Sequence, residues 1–251
     1  MRFILFISCA FIFNISVFSQ GCCSGGAGSP IAGGVATGVL QENQIEISAN
    51  YQYNKSNKFF AENRDTTSLF NNLSSDYLFF RVDYGLSKKL TLSVASGYFL
   101  DKSKIGKNNA DTISDNGIGD LIIFPRYSIF NKTANLKRTE IALGLGVKIP
   151  LGSHSDSTLI LTDYYQMNPP MLQATNGSND LMFYSFFFRE YQKSKLRFFI
   201  NSLYVKKGFN SLGVRYGDYT SVSFFVSKIF LYRWGVTTQI KAEKIDQIEV
   251  A

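Results

Sequence analysis

Histidine and cysteine are scarce, with one His and three Cys in 251 residues. That leaves little for metal coordination or nucleophilic catalysis, which draw on clusters of such side chains. Five Pro, no Gly-X-Y triplets and no heptad exclude the fibrous classes. Only 18% of residues are charged against 45% hydrophobic, too apolar a mixture for a disordered chain. A mean hydropathy of -0.02 lies far below that of a bundle of membrane helices. One Trp stands beside 23 Phe and 14 Tyr, so nearly all aromatic surface is Phe or Tyr.

The only long apolar run is at the N-terminus. Arg2 gives a positive start and Phe3 to Phe13 an apolar stretch too short to span a bilayer but right for a secretory signal. Val17, Phe18 and Ser19 fit cleavage after Ser19, making 1–19 a signal peptide and Gln20 the mature start. Lipidation of Cys22 is the rival, although Ser19-Gln20-Gly21 lacks the Leu expected before a lipid-bearing Cys. Residues 20–43 then form a Gly- and Cys-containing segment, and 44–251 the folded unit. Adjacent Cys22 and Cys23 admit a vicinal disulfide, a soft metal or lipid, but geometry keeps adjacent Cys from pairing easily and two thiols with no nearby His are an incomplete metal site.

What fills the rest of the chain is alternation. From Gln44 to Tyr53, Ile45, Ile47, Ala49, Tyr51 and Tyr53 oppose Glu46, Ser48, Asn50 and Gln52. The same period of two returns in Tyr77 to Tyr84, Leu90 to Tyr98, Asp120 to Phe130 and Glu140 to Pro150. In the last, Ile141, Leu143, Leu145, Val147 and Ile149 oppose Glu140, Ala142, Gly144, Gly146 and Lys148. Weaker candidates are Asp180 to Arg189, Leu196 to Val205, Asp218 to Lys228 and Gly235 to Glu243. Nine strands and no helical period predict an all-β protein.

Connection lengths also alternate. Short ones centre near Lys88, Asn135 and Lys193, with another at Ile229 to Trp234; long polar ones centre near Thr66, Asn109, Asp163 and Asn210. Tight turns interleaved with long loops, between strands of about ten residues, are the signature of a transmembrane antiparallel up-and-down barrel of a Gram-negative outer membrane. A soluble sandwich or lipocalin-like barrel also alternates. Against it stand the continuous apolar face and the tyrosines Tyr51, Tyr53, Tyr84, Tyr98 and Tyr127 near strand ends, where interfacial girdles lie. In the membrane reading Glu46, Arg81, Asp83, Asp120, Arg126, Glu140, Lys148, Lys241 and Glu243 line the lumen. They form either a salt-bridge ladder or a charged filter. With an open lumen, Gly144→Arg is expected to fold and narrow it, and Leu143→Arg to oppose insertion.

The net charge of +7 is spread singly along the sequence rather than in a stripe, so nucleic acid is not an expected partner. Outer-membrane lipid, anionic lipopolysaccharide and small solutes fit better. Asp111, Asp115, Asn116 and Asp120 offer hard oxygens for a cation but lack EF-hand spacing; solvated loop carboxylates are the plainer reading. His154, in Gly152-Ser153-His154-Ser155-Asp156-Ser157, has Ser and Asp nearby, but neighbours along a loop do not converge as a triad must. No catalytic, cofactor or metal site is assigned.

Cys22-Cys23-Ser24-Gly25-Gly26, Ser29-Pro30-Ile31-Ala32-Gly33-Gly34 and Gly117-Ile118-Gly119-Asp120-Leu121 running on to Phe124-Pro125-Arg126-Tyr127 resemble uncharacterised Bacteroidota-type outer-membrane barrels. With Lys148-Ile149-Pro150-Leu151-Gly152, the chain is similar to the transporter-like family associated with meta-pathway phenol degradation. The resemblance implies a barrel passing small, often hydrophobic molecules through a narrow lumen; a plugged structural or surface-interaction barrel is the alternative. An odd strand count, and an end at Ile248-Glu249-Val250-Ala251 without a terminal aromatic, give the expectation of a chain truncated from a longer form.

Overall fold

The computed structural model describes residues 38–57, 60–61, 64–65, 67, 70–107, 112–161, 164–230 and 234–251. The signal-peptide reading of 1–19, the cysteines at 22 and 23, and Asp111 lie outside the described residues. The described chain is all-β, with 72% of residues in strands and a strongly curled half-barrel of antiparallel strands as its body.

Nine strands follow one another in chain order around the wall: β1 (Ile45–Ser56), β2 (Asn72–Ser87), β3 (Leu90–Ile105), β4 (Asp120–Ala134), β5 (Lys137–Pro150), β6 (Asp180–Tyr191), β7 (Leu196–Lys206), β8 (Tyr219–Phe230) and β9 (Trp234–Ile245). A short strand, Ile113–Ile118, pairs with the far end of β3. Ser157–Leu161 pairs with Tyr164–Met167 in a separate hairpin outside the wall. Since neighbours are antiparallel, β1 and β9 run in the same direction, and both are edges among the described residues.

The short connections gather at one end. Asn135 and Leu136, at φ 51° and 59°, make the two-residue type I′ turn whose twist matches the flanking strands. Leu90 pairs with Tyr127, so the β4–β5 hairpin continues well beyond the β2–β3 turn. The long connections lie at the opposite end.

Alternation sets the faces as the sequence predicts. On β5, Leu143, Leu145 and Val147 point outward at 47%, 56% and 38% exposure, whereas Glu140, Ala142 and Lys148 are buried. Phe80 and Val82 on β2, Phe183 on β6 and Val222 on β8 continue the outer apolar surface. Between Ile141 and Ile149 it covers about 26 Å along the strand. Tyrosines stand near its margins: the Tyr51 hydroxyl donates to Asp76 Oδ1 at 2.6 Å, Tyr204 to Asp218 Oδ2 at 2.7 Å, and Tyr84 to Asn43 Oδ1 at 3.0 Å. Each ring lies on the apolar face with its polar tip tied to a rim.

Candidate functional site

The inward face is where the charged residues meet, and between β2 and β8 it is packed. Tyr77, Phe79, Phe99, Phe124, Tyr184, Phe186, Phe199 and Phe225 form one buried cluster with Met182, Leu203 and Val205. Gly144 and Gly146 are the small positions that make room: a Cβ at 144 would stand 2.7 Å from Phe124 Cζ, and one at 146 would stand 2.4 Å from Phe124 Cδ2. An arginine at 144 therefore meets the Phe124 ring rather than an empty lumen, which corrects the expectation that it would merely narrow a pore.

Among the aromatics sit two charge clusters. In the first, Asp83 on β2 joins two guanidinium groups: Arg81 Nε donates to Oδ2 at 2.8 Å and Arg126 Nη2 to Oδ1 at 2.9 Å. The Ser93 hydroxyl also donates to Asp83, and Glu46 lies 3.8 Å from Arg81. Asp83 and Arg81 are 1% and 2% exposed, a depth at which charges persist only when paired. The second joins three strands and the connection after β7. Lys148 Nζ on β5 lies 2.5 Å from Asp120 Oδ2 on β4 and 3.1 Å from Asp180 Oδ2 on β6, and Asp180 also accepts from Lys207 Nζ at 2.9 Å. Ser178 and the Gly208 amide bond the other Asp180 oxygen. Burial, helped by the nearby Lys148 ammonium, lowers Lys207 to about 8 although Asp180 opposes the shift.

The predicted lumen residues thus separate into groups. Glu46, Arg81, Asp83 and Arg126 come together, as do Asp120 and Lys148. Glu140 stands apart, accepting from Arg138 Nη2 at 2.7 Å and from the Val39 amide at 2.9 Å. Lys241 and Glu243 pair with each other at 2.5 Å on β9, beside the Tyr219 hydroxyl. Sequence reading missed Asp180, Ser178 and Lys207. Asp180 was within reach, because the period that places Met182 and Tyr184 inward extends to it.

Both ends are occupied. At the short-turn end, residues 38–44 tuck against the wall: Leu40 N donates to Thr91 Oγ1 at 2.8 Å and Val39 packs on the core. At the other end, the 168–179 stretch folds inward, burying Leu172, Gln173, Ala174 and Thr175. Gln173 bonds the Asp156 and Asn168 backbone, its own carbonyl accepts from Lys102 Nζ at 2.6 Å, and Asn210 Nδ2 donates to Asn176 O at 3.1 Å.

The other candidates do not assemble. Asp115 accepts from Asn168 while Asp120 holds Lys148, and among the described residues no trio of His, Cys, Asp or Glu is placed to hold a metal ion. His154 Nε2 lies 2.7 Å from Ser211 Oγ, and no hydrogen bond joins the ring to a carboxylate among the described residues. Comparison with known proteins brings no relative: no family model matches the chain, and no curated protein matches it.

Proposed function

We propose that the chain forms the wall of an outer-membrane β-barrel whose interior is packed shut, acting as a structural or surface-interaction barrel with lipid and lipopolysaccharide as its surroundings. One observation carries this reading: the outer face of the sheet is continuously apolar and exposed, while its ion pairs are buried on the inner face. On β5 the exposed residues are Leu143, Leu145 and Val147, while the buried ones include Glu140 and Lys148. In water so continuous an apolar exterior is a liability; in a bilayer it is the required surface. The paired internal charges and the inward 168–179 stretch support a closed interior, and such a barrel needs no catalysis. Passage of a solute would require that stretch to leave the mouth. In lipid the β1 and β9 edges must find partners, because each unsatisfied backbone group there costs several kcal/mol.

Membrane fractionation of cells producing the chain tests this reading. The wild type should sediment with the outer membrane and resist alkaline extraction, and Leu143→Arg should not accumulate there, since an arginine facing mid-bilayer lipid costs about 2–4 kcal/mol. Purified protein in liposomes should release no sugar-sized solute. A soluble wild type would overturn the membrane reading, and flux would overturn the closed interior.

A further inference from the structure

Nine of the basic side chains scattered through the sequence lie at the short-turn end. Lys88 and Lys89 lie in the β2–β3 turn, Lys132, Lys137 and Arg138 flank the β4–β5 turn, and Arg189, Lys193, Lys195 and Arg197 surround the β6–β7 turn. Some are neutralised: Arg138 by Glu140 and Arg197 by Glu190, both at 2.7 Å. Among the described residues no carboxylate forms an ion pair with Lys132, Lys137 or Arg189.

Strand register puts these three in one place on the outer surface. Across β4, β5 and β6, Phe130, Ile141 and Phe187 form the last apolar row; the next outward row is Lys132, Thr139 and Arg189, and the one after is Ala134, Lys137 and Tyr191. Lys132, Lys137, Thr139 and Arg189 line one open cleft of about 300 Å³ with Phe130 as its apolar wall. The Arg189 guanidinium donates to the Thr139 hydroxyl and stands 5.6 Å from the Tyr191 ring, and Lys137 Nζ lies 5.7 Å from the same ring. These contacts hold Lys137 and Arg189 beside an aromatic at the margin of the apolar surface.

We infer that this cleft binds the phosphate headgroup of an anionic phospholipid. Three cations without carboxylate partners suit a phosphodiester, an arginine can grip two of its oxygens, and the acyl chains continue directly onto Phe130, Ile141 and Phe187. The inference rests on the membrane reading, which supplies the lipid, and it places the short turns at a phospholipid leaflet.

Native mass spectrometry of the protein in detergent micelles tests the cleft separately from insertion. Phosphatidylglycerol should be retained roughly fivefold better than phosphatidylcholine. The preference should vanish in Lys132→Gln/Lys137→Gln/Arg189→Gln and survive in the control Lys88→Gln/Lys89→Gln/Lys193→Gln, which removes equal charge at the same end. Equal retention of the two lipids by the wild type, or an unchanged preference in the cleft variant, would overturn the site. Displacement by inorganic phosphate alone would reassign it to a free anion, and stronger retention of lipid A would put this end at the other leaflet; either result overturns the phospholipid assignment. Fractionation of the wild type as a soluble protein would instead defeat the membrane reading on which the site depends.

Discussion

Phe124 on β4 covers Gly144 and Gly146 on the neighbouring β5, its ring lying where β-carbons of both positions would stand. The ring is 2% exposed, so it has little room to withdraw. Gly144→Ala should destabilise by about 1–3 kcal/mol, as overpacking of a filled core does. Gly146→Ala should be worse, because its Cβ also meets the Ile123 carbonyl oxygen at 2.9 Å. Urea unfolding of the micelle-bound protein would measure both. Phe124→Leu added to Gly144→Ala should recover part of the loss; no recovery would mean that the ring is not the obstacle.

The β4–β5 turn stores strain in one residue. Leu136 has φ 59°, a left-handed conformation that costs an L-residue roughly 1–2 kcal/mol, and its side chain is 60% exposed, so packing does not repay it. Leu136→Gly creates the Asn-Gly pair favoured in type I′ turns and should stabilise by about 1 kcal/mol. A lower urea midpoint would show that the Leu136 side chain has a contact worth more than the strain.

The nine wall strands were legible because each carries its own period of two, and a residue's neighbours at two positions either side decide its face. Leu143 outward and Lys148 inward needed nothing else. The 168–179 stretch had no such signal: Pro169 and Pro170 break any period, and its burial depends on Lys102, Asp156 and Asn210, which are distant in sequence. The basic cleft was hidden for the same reason. Lys132 and Arg189 are 57 positions apart and meet only through the shared partner Thr139, so along the sequence the charges look evenly spread. Lys207 falls just past a strand, where alternation no longer assigns a face.

Lys207 gives the clearest dependence on pH. It lies beyond β7, its amide donates to Asp218 Oδ1 at 2.9 Å, and burial lowers its ammonium from 10.5 to about 8. The unfolded chain holds this proton more tightly than the folded one, so the group's own titration adds stability as pH rises from about 8 towards 10.5 and adds nothing below that window. Lys207→Met should remove that rise. Titration of the Lys207 Nζ by NMR should place its midpoint near 8; a midpoint at the ordinary lysine value would refute the burial argument.

Asp83 is the residue whose loss should matter most. Its two oxygens hold Arg81 and Arg126, and all three side chains are at most 4% exposed. Asp83→Asn keeps the shape but removes the carboxylate joining two buried guanidinium groups, and breaking a buried pair in this way costs about 3–5 kcal/mol. Asp246→Asn removes one partner of the exposed Lys244–Asp246 pair and should cause no measurable change, since an exposed pair gains little over water. The comparison separates burial from charge, because both variants delete one carboxylate. Adding Arg126→Met to Asp83→Asn should restore part of the urea midpoint by removing one of the two cations that Asp83 neutralised. If Asp83→Asn were as mild as Asp246→Asn, the inner face would be wet enough to screen these charges, and the packed-shut interior would have to be abandoned.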